Sequence, residues 1–219
     1  MLASTAQNLY TQMCACRDSY LERARDASKL TIPTLIPDEG SNHSSKFPTP
    51  FQSVGARGVN NLASALLLSL LPPNAPFFRL VLDEEAKMEL EQIDPQIKNE
   101  IDHSMASIER SIMREVETNN VRTTFFSALK HLIVAGNVLL HVPDEGPVKA
   151  IYMDRYVISR DPMGNVRKII IKESVSPDAL PEAIREAAVN SMAAHEKTVD
   201  IFTCVHPLPD GTTQVYQET

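Results

Sequence analysis

The stretch FPTPFQSVGARGVNNLASALLLSLLPPNAPFFRL, residues 47–80, decides the fold of this chain. Pro48 and Pro50 stiffen an extended entry, and Ser53 stands where a helix N-cap belongs. The helix then runs through Val59, Leu62, Ala63, Leu66, Leu67 and Leu70 until Pro72 and Pro73 stop it. Apolar residues on nearly every side predict burial on more than one face. Beyond the turn, Phe77 to Leu82 reads as a short strand rich in β-favouring side chains.

The pattern upstream is also helical. Over residues 4–29, Leu9, Met13, Cys16, Tyr20, Leu21 and Ala24 recur at spacings near three and four, with Arg17, Asp18, Glu22, Arg23, Arg25 and Asp26 on the remainder. Pro33 and Pro37 break this period, and residues 38–46 form a polar loop. Downstream, residues 94–119 predict the longest helix, striped by Ile97, Ile101, Met105, Ile108, Ile112 and Val116. Asp94 is placed as its cap and Pro95 as its first residue. Its heptad-like register is too short for a coiled coil, so it reads as a core helix. Another core helix spans 121–135, with Phe125, Phe126, Leu129, Leu132 and Ile133 together and Gly136 at its end.

After Gly136 the period changes to two. Strands are expected at 138–142, 148–152, 156–159, 166–172, 198–206 and 213–216, with DPMGN at 161–165 as a hairpin loop and a helix at about 180–195 before the fifth strand. The class is α+β, with N-terminal helices packed on a mostly antiparallel sheet: a helical part over about 1–136 and a β-rich part over about 137–219.

Composition narrows the function. Hydrophobic residues make up 43% and charged residues 22% of 219 residues, ordinary for a folded protein able to bury a core. A formal net charge of −7 opposes general affinity for phosphate backbones, although a protein that only lets DNA pass is served by such a balance. Three cysteines, Cys14, Cys16 and Cys204, suit a reducing compartment better than a disulfide framework. The start, MLAST, carries no basic region before an apolar run and so no secretory signal. The apolar window 62–71 is well short of the ~20 residues that span a bilayer.

Motifs for chemistry are missing. Cys14 and Cys16 point to different sides of a helix and have no second Cys or His pair at zinc spacing, and the six histidines are scattered one per element. Asp83, Glu84 and Glu85 read as a charged helix start. No nucleophile elbow or paired carboxylates appear, so neither enzyme activity nor a cofactor or metal is expected. Gly55 and Gly58 are spaced like part of a phosphate loop, but Val59 and Asn60 follow where Lys and Ser or Thr would stand. A packing reading fits better: Gly55 and Gly58 permit close approach of a second backbone, with Arg57, Asn60 and Asn61 as polar contacts, either within one subunit or between two.

Three segments together carry a family resemblance. PTPFQSVGARGVNNLAS at 48–64 with LPP at 71–73 and FFRL at 77–80, then LKHLIVAGNVLL at 129–140 and YVISRDPMGNV at 156–166, are similar in content and order to the portal, or head-to-tail connector, proteins of short-tailed bacteriophages. The resemblance implies a structural, non-enzymatic protein in a dodecameric ring at the capsid vertex of the virion. Such a ring docks the terminase packaging motor, meets capsid, scaffold and tail proteins, and passes double-stranded DNA inward and outward. It also implies synthesis in the bacterial host cytoplasm. Residues 1–219 would be the wing-like region, with the stem, clip and crown that come later in the family expected to be absent. From a different class, the alternative is a peripheral membrane or partner-binding module that uses the helix at 62–71. The acidic balance disfavours membrane binding.

Overall fold

A computed structural model describes residues 5–41, 44–73, 75–83, 95–144, 146–180, 182, 185, 198–208 and 211–218. The helices come first: α1 (Ala6–Leu30), α2 (Val54–Leu70), α3 (Pro95–Thr118) and α4 (Val121–Ala135). The strands follow as β1 (Leu139–His141), β2 (Lys149–Ile151), β3 (Tyr156–Arg160), β4 (Val166–Val175), β5 (Val199–Pro207) and β6 (Thr213–Glu218). β1 and β2 form an antiparallel pair, and β3-β4-β5-β6 form an antiparallel four-stranded sheet in sequence order. The chain is therefore α+β as expected. The Asp94 cap and most of the helix at about 180–195 fall outside the described residues.

Antiparallel meanders are joined by short turns, and the β3–β4 turn shows why the sequence is decisive there. Asp161 accepts from the Asn165 amide at 2.8 Å and from its side chain at 3.0 Å, while Gly164 adopts φ +89°, a conformation that costs glycine nothing. The Asn165 side chain holds the Asp161 carboxyl below its ordinary range.

Alternation along the strands gives each face its own core. Val157, Ile170 and Cys204 lie side by side across β3, β4 and β5, and with Phe202 they meet Ala6 and Tyr10 of α1. Tyr156 and Ile171 belong to the other face, where they join Leu21 and Ala24 from the second half of α1, with Ile36 and Met153. One helix thus serves both faces, passing the start of β3 on the way.

Four expectations are corrected. Cys16 and Tyr20 are exposed, because the buried face of α1 runs through Ala6, Tyr10, Leu21, Ala24 and Ser28. α2 is not enclosed: it buries Val59 and Ala63 while Leu62, Leu68 and Leu70 are 49%, 57% and 52% exposed. α3 is no core helix either, since none of its described side chains is buried and Ile108 is 51% exposed. Residues 77–82 form no strand; among the described residues no neighbouring strand offers a ladder, and the Leu80 amide donates instead to Glu109 Oε1 on α3 at 2.6 Å.

Candidate functional site

The residues singled out at the start of α2 lie on different sides of the helix. Gly55 turns toward the end of α1, where a Cβ would sit 2.8 Å from the Leu30 carbonyl oxygen and 3.1 Å from Thr31 Cγ2. Only a glycine fits without displacing that backbone. Gly58 faces open space, with nothing within 4 Å of a Cβ built there. Arg57, Asn60 and Asn61 are exposed as well. Close approach within the chain therefore falls at Gly55 and not at Gly58.

Helical spacing gathers Gly58, Asn61, Leu62, Ala65 and Leu68 on the solvent side of α2, one to two turns apart. This side is apolar at its centre and polar toward Arg57 and Asn61. The opposite side, through Val59 and Ala63, packs toward α4. Arg122 on α4 fixes the arrangement by donating to the carbonyls of Leu71 and Pro72, the latter at 2.6 Å, at the C-terminal end of α2. Carbonyls there have no partner inside the helix, and a cation also suits the dipole. Phe51 just before the helix is 99% exposed, and Val54 in its first turn is 69% exposed. Large apolar side chains are thus concentrated on one exposed segment.

A second polar centre was not singled out from the sequence. Arg17 lies on the buried side of α1, its side chain 15% exposed, and its Nη1 donates to Tyr10 Oη at 3.1 Å and to the Asp154 carbonyl at 2.9 Å. The Tyr10 hydroxyl donates to the same carbonyl at 3.3 Å. Burial pushes the Tyr10 phenol up in pKa, so it keeps the proton it donates. The signal was present in the spacing: Ala6, Tyr10, Met13, Arg17, Leu21, Ala24 and Ser28 follow a four-three period in which only Arg17 is charged. Ser28, fully buried, donates to the Ile32 carbonyl at 2.7 Å and accepts from the Ile36 amide at 3.1 Å, fastening the loop after α1.

Of the histidines, His131 is 3% exposed and stacks on Tyr152, with ring centroids 3.6 Å apart and planes 13° apart. Burial, helped by the neighbouring Lys130 charge, lowers its pKa to about 4. Beside the stack is an open cleft of about 410 Å³ lined by Thr123, Thr124, Ser127, Tyr152, Arg155 and Glu173. The Ser127 and Tyr152 hydroxyls across it are 3.1 Å apart. Among the described residues no group of three His, Cys, Asp or Glu is placed to hold a metal ion. Cys14 is half-buried, Cys16 exposed and Cys204 buried. No helix among the described residues is long and apolar enough to cross a membrane.

These features define a mixed α+β body whose most distinctive surface is an apolar helix turned outward. Residues 3–218 match the model of the bacteriophage head to tail connecting protein family, and the chain belongs to that family. It is 40% identical over 210 residues to the portal protein of Escherichia phage T7, covering 92% of this chain and 38% of that protein. It is 39% identical over 207 residues to the portal protein of Enterobacteria phage T3, with the same coverage of 92% and 38%. To the portal protein of Pseudomonas phage phiKMV it is 30% identical over 221 residues, covering 99% of this chain and 42% of that one. The chain thus spans about 38% of the length of the T7 and T3 relatives.

Proposed function

We propose that this chain is the wing-like N-terminal region of a portal protein, a structural and non-catalytic part of the ring that joins a phage head to its tail. The observation that carries this reading is the 40% identity to the T7 portal protein across 92% of the chain. In this role the chain works through its surfaces. The solvent side of α2, with Gly58, Arg57, Asn61, Leu62 and Leu68, is the face offered to another copy, and Asn60 lies at its margin. Gly55 sets the seat of α2 on α1 and so the angle at which that face is presented.

The same reading places the assembled protein at the capsid vertex of the virion, after synthesis in the bacterial cytoplasm. Its partners there are the terminase motor, capsid, scaffold and tail proteins. A net charge of −7 suits a part of the ring past which double-stranded DNA moves without being held, since few phosphates could be neutralised.

A chimera tests this directly: residues 1–219 replace the matching part of the T7 portal protein, and negative-stain images and infectious titre are scored. Rings and viable particles are expected. A chimera that folds, by circular dichroism and melting, yet forms no rings would refute the proposal.

A further inference from the structure

The four-stranded sheet ends at β6, and among the described residues no strand pairs with its outer edge. The one charged residue of β6 is Glu218 at its end, whose carboxylate accepts the Ala6 amide. The strand's sequence TQVYQE contains no Lys, Arg or Pro, and its register with β5 runs unbroken from Phe202 opposite Glu218 to Pro207 opposite Thr213. Such an edge leaves alternate N–H and C=O groups unpaired and is a template for another strand.

The side chains point to the same place. Ile158, Ile169, Val205 and Val215 lie directly opposite one another in turn, forming a β-branched row across one face of all four strands. Ile169 within the row packs against the core that contains Leu21 and Ile171. The row then ends in solvent at Val215, which is 59% exposed.

Residues 46–52 have the complementary character. None of them hydrogen-bonds to another described residue, and Phe51 is 99% exposed. In an extended chain successive residues turn their backbone groups to opposite edges. Pro48 and Pro50, which lack N–H, therefore block one edge, while Phe47, Thr49 and Phe51 offer donors and acceptors along the other. A strand able to pair on one side only belongs at the end of a sheet. Phe47, Thr49 and Phe51 also share one face, so an aromatic ring can continue the row that stops at Val215.

We propose that residues 47–51 of one copy add as a fifth strand to the β6 edge of a second copy, with Phe51 beside Val215. This rests on the reading that copies of this chain meet in an assembly, and it names one of their contacts. An aromatic residue beside a β-branched one is a favourable cross-strand pair.

The test uses differently tagged chains carrying Phe51→Cys and Val215→Cys, each with Cys16→Ser to remove the exposed native thiol. On mild oxidation of the mixture, a covalent dimer bearing both tags is expected. Phe51→Cys mixed with Met163→Cys, which places a thiol at the far tip of the β3–β4 turn, should give none. Thr49→Pro removes the middle donor and should cut the cross-link yield about fivefold, with an unchanged melting temperature, because Thr49 is exposed and has no hydrogen bond to another described residue of its own copy. If copies associate in sedimentation yet these thiols do not cross-link and Thr49→Pro has no effect, strand addition is wrong while the assembly reading stands. Cross-linking confined to a monomeric double variant would also overturn it. If the chain stays monomeric at every concentration and the T7 chimera makes no rings, both fail together.

Discussion

Arg17 donates to the Asp154 carbonyl at 2.9 Å, tying the middle of α1 to the turn that launches β3. The tie falls where α1 leaves one sheet face and turns to the other. Replacing Arg17 by Met keeps the length of the side chain but leaves the Asp154 carbonyl and the Tyr10 hydroxyl with only the 3.3 Å hydrogen bond between them. Loss of a hydrogen bond from a charged group costs about 1.5–3 kcal/mol, so the urea midpoint should fall by a corresponding amount. Arg17→Lys should recover only part of the loss, because one ammonium lacks the planar fork of a guanidinium. A midpoint for Arg17→Met equal to wild type would show that water replaces the guanidinium at no cost.

The two glycines of α2 should respond in opposite directions. Gly55→Ala puts a Cβ 2.8 Å from the Leu30 carbonyl oxygen, an overpacking expected to cost about 1–3 kcal/mol. Gly58→Ala meets nothing and replaces a poor helix former by the best one, for a gain of about 0.5–1 kcal/mol. Thermal melts of both variants decide it, and equal shifts would contradict the geometry.

His131 makes the fold sensitive to acid. Its pKa falls from an ordinary 6.5 to about 4 through burial and Lys130, so the neutral ring is the form the folded chain holds. A group with a depressed folded pKa contributes fully above its unfolded pKa. That contribution is lost as the pH falls from about 6.5 through about 4, amounting to about 3 kcal/mol in all. His131→Phe, which retains an aromatic stack on Tyr152, should flatten stability across this window. An unchanged slope in denaturation midpoint between pH 7 and pH 4 would assign the acid sensitivity to other groups.

Duplex DNA should bind weakly. With a net charge of −7, fluorescence anisotropy at physiological salt should give a dissociation constant no tighter than about 10⁻⁴ M, the weak end of nonspecific binding. Submicromolar binding that survives added salt would show a concentrated basic surface and overturn the view of a passive wall.

The second half of the fold was open to reading because its signals are local. Asp161 and Gly164 specify a turn by themselves, and the alternation around Val157 and Ile170 specifies which face is covered. The helices were harder, since hydrophobicity tells that a residue seeks cover but not what supplies it. Leu62 and Leu70 read as core and are exposed, while Arg17 read as surface and is buried because carbonyls of the β3 turn receive its protons. Residues 77–82 favour a strand but have no neighbour to ladder with among the described residues, and Leu80 takes the Glu109 carboxylate instead. Of the candidate site, the Gly55 contact was foreseeable as a close approach. That it differs from Gly58 depends on which side of α2 meets Leu30, a long-range fact.

The shared core of Ala6 and Tyr10 with Phe202 and Cys204 has a consequence for biosynthesis. α1 is translated nearly 200 residues before β5, whose Phe202 and Cys204 cover its first turns. At about 5–20 residues per second that interval is roughly 10–40 s, during which Ala6, Leu9 and Tyr10 lack the cover that Phe202 and Cys204 supply. Nascent chains stalled before Phe202 should therefore be cut by protease within α1, whereas chains released after Glu218, whose carboxylate accepts the Ala6 amide at 2.5 Å, should be protected there. α1 is thus sealed long after it is made, and its exposed interval is an opening for chaperones.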